Sequence, residues 1–348
     1  MTTDSTEERV LAAVRERRER VNAAIDEDLP LVAPERLWEA SRYLLKAGGK
    51  RLRPTVSLLT AEAIADVPPL SVDYRQFPAL DGGEVDVMAG ALSLEVIQSF
   101  TLIHDDIMDD DALRRGVPAV HKAYDVDTAI LAGDTLYSTA FEMMADTGAA
   151  PENGLEAMRM LAETCTRICE GQALDVEFER RRDVLPDEYL EMVESKTAVL
   201  YGDAAATPAV LLDADDAVVD ALYAYGINSG SAFQIQDDVL DLTVPSAKLG
   251  KQRGSDLVGN KETLITLHAR QQGVDVDGLV DADDAESLTD ADVEDAVATL
   301  NEVGSIEYAR EKAYSLVDES KRNLEALPDN EARSLLAAIA EYLISRGY

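Results

Sequence analysis

Apolar residues recur at the three-to-four-residue spacing of an amphipathic helix through most of this chain. Residues 34–47, 88–104, 128–145, 155–170, 187–199, 217–236 and 330–345 each carry that period, which gathers their apolar side chains on one stripe. No run of alternating apolar and polar residues is long enough to predict a sheet. Two stretches break the pattern. Residues 66–86 hold Pro68, Pro69, Pro78, Gly82 and Gly83 and predict a loop inserted between helices. Residues 273–292 are rich in aspartate and poor in large apolar side chains, and predict an exposed acidic connection with at most one short helix. Either stretch could instead be a partner-binding loop. A length of 348 residues admits two domains, yet no Pro/Gly/Ser-rich linker divides two separately patterned halves. The expectation is an all-α fold, with residues 1–348 forming a single-domain bundle of long helices around a central cavity.

Two of these helical segments end on one acidic pattern, Asp-Asp-x-x-Asp: Asp105-Asp106-Ile107-Met108-Asp109 and Asp237-Asp238-Val239-Leu240-Asp241. Residues i and i+4 share a helix face, so Asp105 and Asp109 project together, as do Asp237 and Asp241. Like charges at that spacing repel, and folding has no need of the arrangement twice. Mg²⁺ does, since it takes oxygen ligands, commonly one or two carboxylates completed by substrate phosphate and water. Two clusters facing each other would cage a polyphosphate held by several Mg²⁺ ions.

Composition supplies a duller account. The chain has 68 Asp+Glu against 32 Lys+Arg, a formal net charge of −36, so acidic clusters arise by chance. The basic residues weigh against chance. Several lie in Gly-punctuated segments: Gly48-Gly49-Lys50-Arg51-Leu52-Arg53-Pro54, Gly250-Lys251-Gln252-Arg253-Gly254, and Gly259-Asn260-Lys261. Arg114-Arg115-Gly116 follows the first acidic cluster almost at once. Glycine lets backbone N–H groups approach an anion, and Lys or Arg supplies the countercharge. Carboxylates for a metal and cations for phosphate thus alternate along one sequence.

In these motifs the chain resembles the trans-isoprenyl diphosphate synthases of the polyprenyl synthetase family. Five segments agree in order: GGKRLRP at 48–54, LIHDDIMDDDALRRG at 102–116, Lys196-Thr197, FQIQDDVLD at 233–241 and GKQRGSDLVGNK at 250–261. The resemblance implies an isoprenoid synthase type of helical fold and head-to-tail prenyl transfer. In that reaction an allylic diphosphate ionises and is attacked by isopentenyl diphosphate. It further implies Mg²⁺, three ions with the allylic diphosphate bound, on Asp105, Asp109 and Asp237, with Asp106 and Asp241 as supporting acids. Arg114, Lys196, Lys251 and Lys261 would contact the allylic diphosphate, and Thr197 and Gln234 would border the reacting carbons. Isopentenyl diphosphate would be held by Gly49, Lys50, Arg53, Gln98 and Arg115, although a histidine is frequent in the family where Gln98 stands. Phe100 and Thr101, about one turn below Asp105, resemble the chain-length position of archaeal geranylgeranyl diphosphate synthases and imply a twenty-carbon product. Two rivals remain. A class I terpene cyclase also uses Asp-Asp-x-x-Asp, though its second motif is differently composed; a non-catalytic subunit of a heteromeric synthase would typically lack one cluster.

Charge and the remaining residues bear on setting. So acidic a surface repels nucleic acid and anionic membranes, and its excess of Asp and Glu resembles proteins of halophiles with molar salt in the cytoplasm. Stable membrane insertion, a leader peptide and nucleic-acid binding are not expected, and the expected location is cytoplasmic. Cys165 and Cys169 read as buried free thiols. A homodimer is expected from the resemblance alone. His104 reads equally as a partner of the metal site or as a core histidine, and His121 and His268 have no company that suggests ligation.

Overall fold

The computed structural model describes residues 3–178, 180–245, 253–259, 261–280 and 289–345. Its helices are α1 (Thr3–Asp28), α2 (Glu35–Lys46), α3 (Leu52–Ile64), α4 (Val87–Met108), α5 (Val120–Ala123), α6 (Val126–Ala145), α7 (Pro151–Phe178), α8 (Pro186–Val193), α9 (Val199–Leu211) and α10 (Asp216–Thr243). Beyond them lie Ser255–Val258, Leu264–Gln271, Asp290–Glu302, Ser305–Asn323 and Glu331–Ser345. Among the described residues, the only sheets are two antiparallel pairs of two-residue strands: β1 (Phe77–Pro78) with β2 (Glu84–Val85), and β3 (Leu113–Arg114) with β4 (Val117–Pro118). The fold is all-α, as the periodicity predicts.

The helix starts follow from local chemistry. Asp86 caps α4 by accepting from Ala89 N at 2.8 Å, and Asp125 caps α6 by accepting from Thr128 N at 2.7 Å. Pro186 opens α8, where a missing N–H is harmless, and the Glu188 carboxylate accepts from Leu185 N at 3.0 Å. Among the helices that escaped the periodic reading, three did so for identifiable reasons. α3 and α9 are buried on nearly every side, so they have no polar face to set a period. In α1 the buried stripe Val10, Val14, Val21 includes Arg17, a charge where an apolar residue is expected.

The described residues group into two compact units, each assembled from three segments of chain. The first comprises Met1–Cys165, Gly202–Tyr223 and Leu324–Ile339; the second comprises Thr166–Tyr201, Ala224–Asn323 and Ala340–Tyr348.

In the first unit α3, α4 and α6 form the core. Ser57 donates from α3 to the Ala204 carbonyl of α9 at 2.7 Å. Arg17 pairs with Glu62 at 2.5 Å, both fully buried, and Glu62 also accepts from Tyr74 OH at 2.6 Å and Leu70 N at 2.7 Å. That fully bonded charge fastens the 66–86 segment to α1 and α3. The segment is therefore anchored, with Tyr74 and Phe77 buried and stacked at 6.3 Å. α4 is long and apolar enough by composition to cross a membrane, but 72% of its apolar window is buried in the protein. It is a core helix.

In the second unit, Leu264–Gln271 packs on Ser305–Asn323, with His268 Nδ1 2.9 Å from Ser305 Oγ. Of the 273–292 connection, residues 281–288 lie outside the described set, and a 3₁₀ turn occupies Val276–Gly278. The two thiols differ: Cys165 is buried as expected, whereas Cys169 is exposed.

Candidate active site

The first acidic cluster sits where electrostatics least favours it. α4 ends at Met108 with Asp109 as its C-cap, so Asp105, Asp106, Asp109, Asp110 and Asp111 crowd a helix end that already carries partial negative charge. Such a conflict with local rules marks a functional site. Folding offsets part of it. Asp106 turns inward, fully buried, and accepts from Arg114 Nε at 2.6 Å; Arg114 Nη2 also donates to Asp111 at 2.8 Å. Burial pushes the Asp106 carboxyl upward, and the Arg114 guanidinium pulls it back. Lys122 reaches Asp110 at 2.5 Å. Asp105, half-buried, and Asp109, exposed, stay on the outer side one turn apart.

The β3–β4 hairpin aims the cations. Its turn residues Arg115 and Gly116 have φ of 54° and 78°, and a tight two-residue turn needs both positive. Arg114 thereby points back at the helix end while Arg115 reaches the end of α2 and the loop after it, donating to the Leu44 carbonyl at 3.2 Å and to the Gly48 carbonyl. Its guanidinium lies over Gly49, where a Cβ would stand 3.1 Å from Arg115 Cζ. Gly49 has φ of 146°, so both space and backbone favour glycine there. Arg51 pairs with Glu95 at 2.5 Å, and Arg115 is 4.0 Å from the same carboxylate. Burial, followed by the charges of Arg51, Arg53 and Arg114, holds Arg115 below its usual value, with Glu95 opposing. Guanidiniums crowded around one carboxylate suit an anionic ligand. Arg53 and Gln98 are half-buried near this loop and α4, and Lys50 is exposed.

In the second unit, α8 passes into α9 through a π-helical turn, Glu194–Ala198, which displays Lys196 and Thr197. π turns inside helices often mark functional sites. Two glycines let neighbouring helices touch this turn: a Cβ at Gly171 of α7 would fall 2.3 Å from Lys196 N, and one at Gly230 of α10 would fall 2.8 Å from Ala198 Cα. Lys196 Nζ pairs with Asp175 of α7 at 2.5 Å. Thr197 donates to Gln234 Oε1 at 3.3 Å, Gln234 Nε2 donates to Asp238 at 3.1 Å, and Tyr189 OH donates to the other Asp238 oxygen. Burial, with the carboxylates of Asp256 and Asp237 nearby, pushes the Asp238 carboxyl upward.

The second acidic cluster is likewise near a helix end, in the last turns of α10. Asp241 is buried and accepts from Ser255 Oγ at 3.0 Å and Asp256 N at 3.2 Å, which pins the following segment. Asp237 is half-buried. Lys261 is exposed, its N–H bonded to the Asp256 carbonyl at 3.0 Å. Lys251 lies outside the described residues. The structure thus places Asp105, Asp106, Asp109, Arg114 and Arg115 with Gly49 in one unit. In the other it brings together Lys196, Thr197, Gln234, Asp237 and Asp241.

Sequence reasoning passed over Gly171, Gln172, Asp175 and Tyr189. Their signal was present in Gly171-Gln172-Ala173-Leu174-Asp175, a Gly, amide and acid at i, i+1 and i+4 of one helix. His104 is a packing residue, its ring against Gly133 and its Nε2 3.3 Å from the Ile130 carbonyl. Among the described residues, no three His, Cys, Asp or Glu side chains converge as a ready metal cage. Paired carboxylates one turn apart instead fit a hard cation that draws its other oxygens from phosphate and water.

Solved structures identify the architecture as the isoprenoid synthase fold. The geranylgeranyl pyrophosphate synthetase of Geoglobus acetivorans superposes with a TM-score of 0.84 at 42% identity, over 96% of this chain and 99% of that one. The Pyrococcus horikoshii geranylgeranyl pyrophosphate synthetase gives 0.86 at 34% identity, over 98% and 99%. Among curated relatives, a geranylfarnesyl diphosphate synthase of Natronomonas pharaonis is 66% identical over 97% of this chain and 98% of its own. A geranylgeranyl diphosphate synthase of Methanosarcina mazei is 48% identical over 96% and 97%. The Polyprenyl synthetase family model matches residues 34–300. The chain belongs to the polyprenyl synthetase family and is a trans-prenyltransferase.

Proposed function

We propose that this enzyme condenses an allylic diphosphate with isopentenyl diphosphate, head to tail, to make geranylgeranyl diphosphate. The observation that carries the reading is the placing of two carboxylate clusters at helix C-termini, each beside cations held by ordered turns. The allylic C–O bond breaks and its electron pair leaves on the diphosphate. The isopentenyl double bond then attacks the allylic cation, and a proton lost from the new tertiary cation goes to the departed diphosphate.

Asp105, Asp109 and Asp237 would hold Mg²⁺, with Asp106 and Asp241 as supporting acids that orient Arg114 and the 255–256 backbone. Bound with the diphosphate, three Mg²⁺ ions supply neutralising charge for the leaving group. Arg114, Lys196, Lys251 and Lys261 steady that diphosphate, and the oxygens of Thr197 and Gln234 face the allylic cation. Gly49, Lys50, Arg53, Gln98 and Arg115 hold isopentenyl diphosphate. This assignment requires the two acidic clusters to address one diphosphate, and residues 1–348 to act as one domain.

A second product reading, geranylfarnesyl diphosphate, is favoured by the name of the Natronomonas pharaonis relative at 66% identity. Phe100 supports the shorter product, since its ring stacks edge-on with His104 at 4.8 Å and Tyr137 at 5.3 Å and so fills space one turn below Asp105. A cytoplasmic, salt-adapted homodimer completes the reading. The exposed apolar residues Val126, Ile130 and Leu131 of α6 support a dimer, and the net charge of −36 supports salt adaptation.

The test is incubation of the purified chain with labelled isopentenyl diphosphate, Mg²⁺ and geranyl or farnesyl diphosphate in molar KCl, with chromatography of the products. A twenty-carbon diphosphate supports the reading, a twenty-five-carbon one selects the second product, and a cyclic hydrocarbon or no elongation refutes both.

A further inference from the structure

Gln172 is the one strongly buried amide beside the π turn that has no role in the assignments above. It is 8% exposed, and neither its Nε2 nor its Oε1 has a hydrogen-bond partner. Buried amides are nearly always satisfied, because leaving both donor and acceptor dry is unfavourable. An orphan of this kind points to a ligand group absent from the protein alone.

Its surroundings say which group. α7 is docked on the π turn at two points that flank Gln172: the Gly171 backbone lies against Lys196 N and Cα, and Asp175 holds Lys196 Nζ at 2.5 Å. At about 100° per residue, Gln172 lies about 60° around the helix from Asp175 and one turn before it. It lies about 100° from Gly171, so it stands at the edge of the helix face docked on the turn that displays Lys196 and Thr197, within the same compact unit. Thr197 donates to Gln234, whose amide is held in place by Thr197 and Asp238. The Gln172 amide has no such bond.

We propose that Gln172 is a further catalytic residue, its Oε1 turned on the reacting end of the allylic chain and its Nε2 on the diphosphate oxygen that leaves. An amide suits both partners. Its oxygen carries the negative end of a fixed dipole toward the developing allylic cation, and its N–H donates to the oxygen that takes the electron pair as the C–O bond breaks. Unlike a carboxylate, it has no charge to trap the cation covalently. The inference rests on the condensation proposed above.

Replacing Gln172 by leucine removes both polar atoms and keeps the bulk. If the amide serves the substrate, Q172L should lower kcat by about 10- to 100-fold. The KM for farnesyl diphosphate should stay within about threefold, as expected for an interaction made mainly in the transition state. The thermal midpoint should not fall, because the variant relieves an unsatisfied buried amide. The inference is overturned by wild-type kcat, by a raised KM with unchanged kcat, or by a lowered midpoint, which would make Gln172 a structural residue bonded to buried water. Failure of the wild-type enzyme to elongate would instead strike the functional reading itself.

Discussion

Glycine at 171 is predicted to be indispensable. In Gly171→Ala the new Cβ would meet Lys196 N at 2.3 Å, Lys196 Cα at 2.7 Å and the Ser195 carbonyl carbon at 2.8 Å, where contacts under 3.0 Å are essentially unknown. All three are backbone atoms, so no rotamer change relieves the clash, and α7 and the π turn must separate by about 0.7 Å. Overpacking of that kind costs about 1–3 kcal/mol of stability. The catalytic effect should be larger in proportion, since a misplacement near 1 Å at reacting groups costs about 100-fold. Gly154→Ala on the same helix is the control: a Cβ there meets nothing within 4 Å, and the better helix former should add up to about 1 kcal/mol. Denaturant unfolding and steady-state kinetics on both variants decide the matter. A G171A enzyme with wild-type kcat and midpoint would show that the contact between α7 and the turn does not position Lys196.

Three other outcomes follow from the same structure. Burial pushes the Asp203 carboxyl up to about 6, with Thr207 donating to it at 2.6 Å. Its folded value exceeds the unfolded one, so stability is full below about pH 4, falls as pH rises to about 6, and is level above that. Asp203→Asn should abolish this slope and add about 2–3 kcal/mol at pH 7.5 in urea titrations; equal slopes in both proteins would refute it. Phe100→Ala should lengthen the main product by one or more isoprene units, and an unchanged chromatogram would remove Phe100 as the limiting residue. Dialysis from molar KCl to about 0.1 M lengthens charge screening from about 3 Å to about 10 Å. With a net charge of −36 the protein should then lose activity and thermal midpoint together, and full activity in low salt would contradict salt adaptation.

Much of this site could be read from residue order, because the paired aspartates sit at i and i+4 and the glycines bracket the cations. What could not be read was the division of labour inside each cluster. Nothing in Asp-Asp-x-x-Asp says that Asp106 turns inward to Arg114 while Asp105 and Asp109 stay outside; the hairpin at Arg115-Gly116 decides it, through two positive φ values. Asp241 likewise caps the 255–256 backbone, a contact set by where the chain returns. Helices α3 and α9 were hidden because uniform burial erases periodicity, and α1 because Arg17 interrupts its apolar stripe. The 66–86 segment is the loop between helices that its prolines and glycines predict, but its anchoring by Glu62 carries no local sequence signal. Gly171 and Gly230 became meaningful only once the helices they bring together were known.

Under the proposed function both acidic clusters would act on one diphosphate. Measuring kcat for Asp105→Asn, Asp237→Asn and the double variant, at saturating Mg²⁺ and farnesyl diphosphate, tests it directly. Each single change should cost about 100- to 1,000-fold. Residues that act as one unit are strongly non-additive, so the double variant should lose little more than the worse single one. Losses that multiply in full would mean that the clusters work independently, and the shared site would have to be abandoned.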